Sequence, residues 1–339
     1  MQNKKVYGLL GGGQLGTYLM DDGSGKNNVM FRVLSPEIPL VDDPINVYAL
    51  WTKGDLTDYE TVLNFGRKCD VVTIEIENVS VDALDRLKSE GKVIIPDPQI
   101  LRMIQNKLSQ KIFLIQNNFP TPYLFGSYQY PDEPWMCIKP GLEVHKLEIG
   151  GYDGRGVLIP SGRGGGGGGD GGGGDDEAYF SSGAALVEQL VDIKAEVSVI
   201  FGRNSFGDIL MFEPCLLMMN SDTHMLDYLV CPVCLNVDLD LNNKLWKIIK
   251  LLGSTLQFVG IMAIEFFITK DDQILINEMS PRPHNSGHHT MDRYNISQNE
   301  LLRMILRNES FSMMDLKYKH NDSHVWLIGG EGGEDSITS

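Results

Sequence analysis

The chain has 339 residues, of which 42% are hydrophobic and 22% charged, a composition typical of a globular enzyme with room for two or three domains. Its formal net charge of -16 argues against sequence-independent binding to nucleic acid or to an anionic membrane, because both need a basic surface. The sequence has no long uninterrupted apolar stretch and no signal-peptide pattern at its start, so we expect a cytoplasmic protein.

A glycine-rich loop follows the first predicted strand, residues 5–10. Gly11, Gly13 and Gly16 match GxGxxG, a pattern in which backbone N–H groups and a helix N-terminus approach a phosphate. The second predicted strand ends in Ser35, Pro36 and Glu37, which is a poor match to the acidic residue that closes the second strand of a dinucleotide fold. The loop therefore favours the phosphate of a mononucleotide substrate over NAD.

Two carboxylates follow in the next predicted strand, residues 70–79, which carries Glu75 and Glu77 near its end. Ligands collect beyond the carboxyl ends of strands in open α/β sheets, so we expect both side chains near the Gly11 loop. The alternative is a pair of solvated acids at a strand end.

Helical signals come next. Asp97 and Pro98 form an N-cap and a first helical position, and apolar residues at helical spacing predict one helix to about Asn117. Lys107 lies on it and, taken alone, would be a solvated side chain. Residues 245–256 predict an amphipathic helix packed on the core, and residues 297–300, SQNE, predict a capping box.

A lysine on a strand precedes a glycine-rich turn in residues 144–157, VHKLEIGGYDGRGV. Glycines allow close backbone approach to nucleotide phosphates and a mobile flap. Lys146 on this strand and Lys139 before it are both candidate phosphate-binding residues. Residues 162–174 are almost entirely glycine, which predicts a flexible linker to which we assign no role.

The densest group of reactive side chains lies in residues 261–294. Apolar runs flanking the polar turn at residues 270–272 predict a β-hairpin that brings Glu265 and Glu278 together. A carboxylate within an apolar strand needs a cation or a hydrogen-bond partner. Mg2+, or Mn2+ in its place, prefers hard oxygen ligands, so these two carboxylates and the Asn277 amide predict a metal site. The alternative to a metal site is that Glu265 lies on the solvent-exposed face of an edge strand and that Glu278 caps a turn.

A rigid loop, residues 280–287, follows the hairpin because two prolines fix its backbone. It carries Arg282, His284 and Asn285, and a planar guanidinium suits carboxylate, bicarbonate or phosphate. This indicates an anion site beside a magnesium-nucleotide site. His284, His288 and His289 would allow a zinc cluster, but carboxylates dominate this region.

Five cysteines without framework spacing predict reduced thiols, and the lone CxxC at residues 231–234 favours buried thiols over zinc or a disulfide.

Taken in order, these motifs resemble the N5-carboxyaminoimidazole ribonucleotide synthase family of ATP-grasp enzymes over residues 3–329. The segment INEMSPRPHNSGHHT is similar to the family signature, TIEIENV to its TxExENV motif, and GGYDGRG to its lid motif. NKLSQK resembles its DKxxQK, with Asn106 replacing the usual acid. Residues 184–199 resemble its nucleotide-binding hinge. Residues 216–219, LLMM, depart from the polar residue and asparagine of relatives, which puts one nucleotide-side contact in question.

The resemblance implies ATP-dependent carboxylation of 5-aminoimidazole ribonucleotide with bicarbonate, through carboxyphosphate, in purine biosynthesis. It implies ATP, bicarbonate and the ribonucleotide as substrates, Mg2+ as cofactor, and a homodimer. The implied nucleotide-binding residues are Lys107, Lys146, Gly151, Gly154, Gly156, Glu188, Gln189, Leu190, Val191, Glu196, Asn277 and Glu278, and the implied metal ligands are Glu265 and Glu278. The implied ribonucleotide-binding residues are Gly13, Gln14, Leu15, Glu77, Tyr152, Asp153 and Arg155, and the implied catalytic residues are Arg282, His284 and Asn285.

The implied fold is an ATP-grasp α/β fold. It comprises a Rossmann-like, biotin-carboxylase-like N-terminal domain at residues 1–97, a central lid domain at 98–187, and a C-terminal α+β catalytic domain at 188–339. Relatives continue past the strand at residues 325–329 into a small segment with a basic motif for the substrate phosphate, and we expect weaker substrate affinity without it. Two alternatives stay open: an ATP-grasp ligase with another acyl donor or acceptor, and a nucleotide-binding relative without turnover. A dinucleotide oxidoreductase would leave the Glu265 and Glu278 pair unexplained.

Overall fold

The computed structural model describes residues 5–20, 31–40, 42–129, 141–150, 156–159, 183–219, 226–233, 240–319 and 324–327. The segments predicted at residues 151–155 and 162–174, together with Lys139 and Cys234, lie outside this part of the chain. None of the helices in the described ranges combines the length and apolar character that a bilayer crossing needs.

The N-terminal sheet is parallel. It contains β1 (Tyr7–Leu10), β2 (Phe31–Ser35), β3 (Ala49–Lys53), β4 (Val71–Ile74) and β5 (Val93–Ile94), in the order β3-β2-β1-β4-β5. Helices α1 (Gln14–Met20), α2 (Tyr59–Gly66) and α3 (Val81–Ser89) accompany it. The strand predicted to run to residue 79 ends at Ile74, so Glu75 and Glu77 lie in the loop beyond the carboxyl end of β4.

The single helix predicted from residue 97 to 117 is wrong: two helices occur, α4 (Pro98–Ile104) and α5 (Lys107–Gln116). Asn106 is extended between them, and its side chain accepts a hydrogen bond from the Ser109 N–H at 2.7 Å, which caps the new helix. The Lys107 N–H donates to the Glu148 carbonyl at 2.7 Å. The break therefore places Lys107 in the first turn of α5, against the following sheet.

The second sheet is antiparallel. It contains β6 (Leu124–Gln129), β7 (Glu143–Leu147), β8 (Val157–Leu158) and β9 (Ala184–Gln189), in the order β6-β9-β7-β8. Strand β9 runs across the domain boundary set between residues 187 and 188 in the sequence analysis. The domain boundaries themselves stay predictions.

The third sheet carries the predicted hairpin. Its strands are β10 (Ile193–Arg203), β11 (Ile209–Met211), β12 (Cys215–Met219), β13 (Leu226–Cys231), β14 (Gly260–Thr269), β15 (Ile274–Ser280) and β16 (His324–Leu327). Their order is β15-β14-β10-β12-β13-β16, with β11 also paired to β10. The predicted hairpin is confirmed as β14 and β15, which makes β15 an edge strand of the described sheet.

Helices cover the third sheet on both faces. One face packs against α6 (Leu241–Thr255), the predicted amphipathic helix, through buried Leu245, Ile249 and Leu252. The other contributes Ile200, Ile261 and Ala263 to a core shared with the N-terminal sheet and α8 (Gln298–Leu306), which follows the short α7 (His289–Arg293). The capping box of α8 forms only in part: the Ser297 hydroxyl accepts from the Glu300 N–H at 3.1 Å, but the Glu300 carboxylate binds Arg303 and Arg307.

Candidate active site

A β-bulge shapes the centre of the site. Glu265 on β14 pairs with Glu278 on β15, but Phe266 pairs with Ile276, so Asn277 is an extra residue in the edge strand. Bulges re-aim side chains next to functional sites. Strict alternation would send Asn277 and Glu278 to opposite faces of the strand, whereas both line one cavity.

This cavity lies between α5, the second sheet and β15. Its walls are mostly charged or amide side chains. They are Lys107, Gln110, Lys111, Leu114, Lys146, Leu186, Glu188, Asn277 and Glu278. The α5 residues are spaced i, i+3, i+4 and i+7, so one helical face supplies them.

The three lysines of the cavity are ion-paired. Lys107 Nζ lies 2.6 Å from Glu278 Oε1, and Lys146 Nζ lies 2.8 Å from Glu188 Oε2 and 2.9 Å from Asn277 Oδ1. Lys111, which the sequence analysis did not single out, lies 2.6 Å from Glu188 Oε1. Glu188 thus bridges two lysines. The DKxxQK-like segment contains the signal for Lys111, because its second lysine follows Lys107 by one helical turn.

The two hairpin carboxylates have opposite electrostatic environments. Desolvation in the cleft, followed by the neighbouring Glu278 and Glu196 carboxylates, raises the pKa of Glu265 to about 7. Desolvation also acts on Glu278, but the charge and hydrogen bond of Lys107, together with the charges of Lys146 and Arg282, outweigh it and lower the pKa of that carboxyl. The lysine therefore compensates the charge of Glu278, whereas Glu265 lies among like charges.

The loop after β15 orients His284. The Ser286 N–H donates to His284 Nδ1 at 3.3 Å, which leaves the ring proton on Nε2, and Nε2 lies 3.8 Å from Glu265 Oε1. The Ser286 hydroxyl contacts both His284 Nδ1 at 2.9 Å and the Ser198 hydroxyl at 2.7 Å. Burial, then the Arg282 charge, lowers the pKa of His284 to about 3, so the imidazole is neutral near pH 7.

Arg282 brings the two predicted substrate regions together. Its Nε lies 2.7 Å from Glu77 Oε2, so the loop after β15 contacts the loop after β4. Gln105 holds the second of these loops by donating to the Glu77 and Val79 carbonyls at 2.8 and 2.9 Å. Asn285 is exposed at the start of the 3-10 turn Asn285–Gly287.

The Gly11 loop meets a carboxylate. The Gly13 N–H donates to Glu75 Oε2 at 3.2 Å, and a Cβ at Gly11, which has φ +102°, would lie 2.5 Å from the same oxygen. The expected proximity of Glu75 to the loop is confirmed. A phosphate at Gly13 would have to displace this carboxylate. Gln14 is exposed, and Leu15 is buried, so the Leu15 side chain packs in the core and only its backbone is available to a ligand.

The hinge residues lie beside the cavity. The N–H groups of Gln189 and Leu190 donate to the Tyr123 and Leu142 carbonyls, both at 2.9 Å, so they are engaged within the protein. Val191 and Glu196 are half-buried, and Gly156 is buried. The nucleotide contacts of these residues stay predictions, as do the roles of Gly151, Tyr152, Asp153, Gly154 and Arg155, which lie outside the described residues.

The departure at residues 216–219 lies on β12. Leu217 is buried in an apolar cluster with Cys215, Leu229, Cys231 and Trp326. The thiols of Cys215 and Cys231 are themselves buried and unbonded to each other, as expected for reduced cysteines. No group of three or more metal-binding side chains occurs among the described residues, which include all three histidines of the alternative zinc cluster.

Comparisons with known proteins identify the family. The chain matches an ATP-grasp domain model over residues 141–299 and a ribonucleotide synthetase preATP-grasp domain model over residues 4–105. It is 32% identical over 304 residues to N5-carboxyaminoimidazole ribonucleotide synthase of Mycobacterium tuberculosis, covering 88% of this chain and 67% of that protein. It is 29% identical over 295 residues to a chloroplastic phosphoribosylaminoimidazole carboxylase of Vigna aconitifolia, covering 87% of this chain and 50% of that protein.

A solved structure shows the same fold. The carboxyaminoimidazole ribonucleotide synthase of Aspergillus clavatus complexed with ATP has a TM-score of 0.80 and 25% identity, over 96% of this chain and 82% of that one. The chain spans about half the length, or less, of the first curated relatives it matches. The predicted ATP-grasp fold is confirmed, and the chain belongs to the N5-carboxyaminoimidazole ribonucleotide synthase family.

Proposed function

We propose that the chain catalyses ATP-dependent carboxylation of 5-aminoimidazole ribonucleotide with bicarbonate, giving N5-carboxyaminoimidazole ribonucleotide, ADP and phosphate in purine biosynthesis. The observation that carries the proposal is the meeting of Lys107, Lys146 and Glu278 in one cavity, beside the loop that holds Arg282 and His284. The name of the M. tuberculosis relative supports the reaction, and the ATP complex of the A. clavatus relative supports the nucleotide.

The hairpin fits a magnesium ion. Glu265 and Glu278 face each other across β14 and β15, and the bulge turns the Asn277 amide into the same cavity as Glu278. Mg2+ is typically held by one or two carboxylates together with substrate phosphates, so a larger protein cluster is not required. Desolvation and then the charges of Glu278 and Glu196 raise the pKa of Glu265, and a divalent cation would offset both effects. When bound, Mg2+ would neutralise charge on the phosphates of ATP.

Lys107 and Lys146 are proposed to bind the ATP phosphates. Both ammonium groups are at present paired with carboxylate or amide oxygens of the cavity, and phosphate oxygens are equivalent acceptors. Exchange of these partners would bring the γ-phosphoryl group near the loop after β15. A bicarbonate oxygen would then attack the γ-phosphorus while the bond to ADP breaks, which yields carboxyphosphate.

Arg282, His284 and Asn285 are proposed to hold bicarbonate and carboxyphosphate. The guanidinium supplies charge, and neutral His284 supplies an Nε2–H donor because Nδ1 accepts from Ser286. The ribonucleotide amine would capture the carboxyl group, or released CO2, as phosphate leaves. Carboxyphosphate is labile in water, so closure by the predicted lid at residues 98–187 would protect it.

The ribonucleotide is proposed to bind between the Gly11 loop and Glu77, at Gly13, Gln14, the Leu15 backbone and the Glu77 carboxylate. The contact between Arg282 and Glu77 would link this subsite to the bicarbonate subsite. By resemblance we also propose a homodimer in the cytoplasm, and light scattering of the purified protein tests the assembly.

The decisive experiment measures ADP release from Mg-ATP, with bicarbonate and the ribonucleotide each added or omitted. We expect release that requires the ribonucleotide and rises with bicarbonate. Release that responds instead to formate or an amino acid would identify another ATP-grasp ligase. ATP binding without release under any combination would identify a relative without turnover. Glu278→Gln is the matched inactive control, because it removes one proposed metal ligand at constant size.

A further inference from the structure

The segment from Met279 to His284 joins the proposed metal site to the proposed bicarbonate site. Glu278 precedes it, and Arg282 lies within it. It starts in β15, whose outer edge has no partner strand among the described residues. Unpaired backbone groups on an edge strand need other hydrogen-bond partners when they are covered. Two glutamine side chains supply them, one at each end of the segment.

Gln110 holds the first end. Its Oε1 accepts from the Met279 N–H at 3.0 Å, and its Nε2 lies 3.4 Å from the Met279 carbonyl, to which it donates. We call this arrangement, in which one side-chain amide bonds the N–H and the C=O of one residue, an amide clamp. Gln110 is 3% exposed and lies on α5 one helical turn after Lys107. It therefore fixes β15 relative to the helix that carries the proposed phosphate-binding lysine.

Gln298 holds the second end with the same geometry. Its Oε1 accepts from the His284 N–H at 3.0 Å, and its Nε2 donates to the His284 carbonyl at 2.9 Å. Gln298 is fully buried, and its own N–H donates to the Thr290 hydroxyl at 2.9 Å. A Cβ at Gly287 would lie 2.3 Å from Gln298 Oε1, so glycine there is what allows the amide to approach the loop.

The two clamps differ from the ion pairs of the cavity in having no charge. A lysine paired with a carboxylate can change partner when an anionic substrate arrives, whereas a neutral amide bonded to backbone on both sides has no competing ligand group. A buried amide that loses its partners would also leave unsatisfied polar atoms. The clamps are thus suited to stay formed while the ion pairs of the cavity exchange.

We propose that Gln110 and Gln298 are positioning residues that fix the two ends of this segment, Gln110 setting Glu278 against Lys107 and Gln298 setting His284. The inference rests on the proposed function for its kinetic consequences. Its structural part is independent, because each clamp protects one identifiable backbone N–H from solvent exchange.

The first test is hydrogen exchange of the full chain. Gln110→Met and Gln298→Met keep the approximate side-chain volume and remove both hydrogen bonds. We expect exchange at the Met279 amide to rise at least about tenfold in the first variant, and exchange at the His284 amide to rise similarly in the second. Gln99→Met is the matched control, because Gln99 is exposed on α4 and bonds only Asp85 by its side chain. Unchanged exchange in both variants would overturn the clamps whatever the protein catalyses.

The second test separates the two clamps by kinetics. We expect Gln110→Met to weaken Mg-ATP binding about tenfold, and Gln298→Met to lower bicarbonate-dependent kcat ten- to a hundredfold with little change in the KM for ATP. A general loss of structure would instead lower both the affinity for Mg-ATP and kcat in both variants. Equal kinetics of the variants and of an active wild-type protein would overturn the proposal, whereas a wild-type protein without turnover would overturn the proposed function and leave the exchange result standing.

A third variant distinguishes loss of the Gln298 hydrogen bond from misfolding. In Gln298→Glu the side chain still accepts from the His284 N–H, but it can donate to the His284 carbonyl only when the carboxyl is protonated. We expect its kcat, relative to wild type at the same pH, to recover as the pH falls from 8 to 6. A ratio that is constant with pH would contradict a hydrogen-bonding role for Nε2.

Discussion

The nucleotide cavity and the loop after β15 are adjacent, yet different forces hold them. In the cavity, Lys107, Lys111 and Lys146 are all paired with carboxylates at 2.6 to 2.8 Å. The loop has one charged pair, between Arg282 and Glu77, and its backbone is held by the neutral amide of Gln298. Ion pairs suit a surface that must accept phosphates, and neutral bonds suit a loop whose shape must persist.

A second contrast lies between two glutamates. Desolvation, followed by the neighbouring Glu278 and Glu196 carboxylates, raises the pKa of Glu265 to about 7. Glu213, outside the cavity, accepts from Arg293, Tyr294 and Tyr318 at 2.8 to 3.1 Å, and these donors outweigh burial and lower its pKa. One carboxylate is fully satisfied within the protein, whereas the other is suited to a cation from solution.

Removing the Arg282 charge from the loop after β15 should have the largest effect of these changes, and it should act on turnover. Arg282→Ala is expected to lower bicarbonate-dependent turnover by about 10²- to 10³-fold, because the guanidinium no longer holds the developing anion. ATP binding should be largely retained, since Arg282 does not line the cavity. ADP release and calorimetric titration with Mg-ATP measure the two quantities. Arg86→Ala, at a surface pair with Glu90, is the control. Retained turnover would remove Arg282 from the mechanism.

The second-largest effect is expected from breaking the ion pairs in which Glu188 bridges Lys111 and Lys146. Lys111→Met leaves the buried Glu188 with one lysine instead of two and is expected to lower the free energy of unfolding by about 3 kcal/mol. Urea denaturation measures this change.

The double variant Lys111→Met/Glu188→Gln sharpens the result. It removes the carboxylate charge that Lys146 alone would have to compensate, so most of the stability should return. A double variant that is as unstable as Lys111→Met would show that the effect comes from lost packing and not from charge.

Because the Glu213 carboxylate is hydrogen-bonded within the protein, we expect the stability of the protein to depend on pH. The folded pKa of Glu213 is below its ordinary value of 4.5, so its contribution is present above about pH 4.5 and is lost as the pH falls through the folded value. Glu213→Gln is expected to lower the free energy of unfolding at pH 7 by about 2 kcal/mol. The difference from wild type should shrink below pH 4.5, and denaturation at pH 3 to 7 measures it. A difference that is constant over this range would contradict the assignment.

The smallest effect is expected at Asn106, which replaces the usual acid of the family motif. Its Oδ1 caps α5 while its Nδ2 donates to Glu148 Oε2 at 3.1 Å, a pair of roles that an aspartate cannot fill. Asn106→Asp keeps the cap but sets two carboxylates together, and should cost about 1 kcal/mol. Adding Glu148→Gln should restore the loss. Thermal unfolding of the two variants tests the pair, and equal stability of Asn106→Asp and wild type would contradict it.

The sequence by itself determined the local elements and the order of the motifs. Alternating and helical patterns of apolar residues predicted the hairpin β14 and β15 and the helix α6, and Asp97 caps α4 as predicted. Glu265 and Glu278 were predicted to meet because the two strands of a hairpin bring paired residues together. Such features depend on residues near one another in the chain.

Only the tertiary structure decided how these elements combine into a site. The bulge at Asn277 depends on pairing with β14, and the break at Asn106 depends on contacts with Glu148 and with the loop after β4. Gln110 lies in the DKxxQK-like segment and Gln298 in the predicted capping box, yet neither pattern indicated that they bond backbone 169 and 14 positions away. Residue type and spacing do not predict such partners, because packing between distant segments determines which buried polar groups form hydrogen bonds with one another.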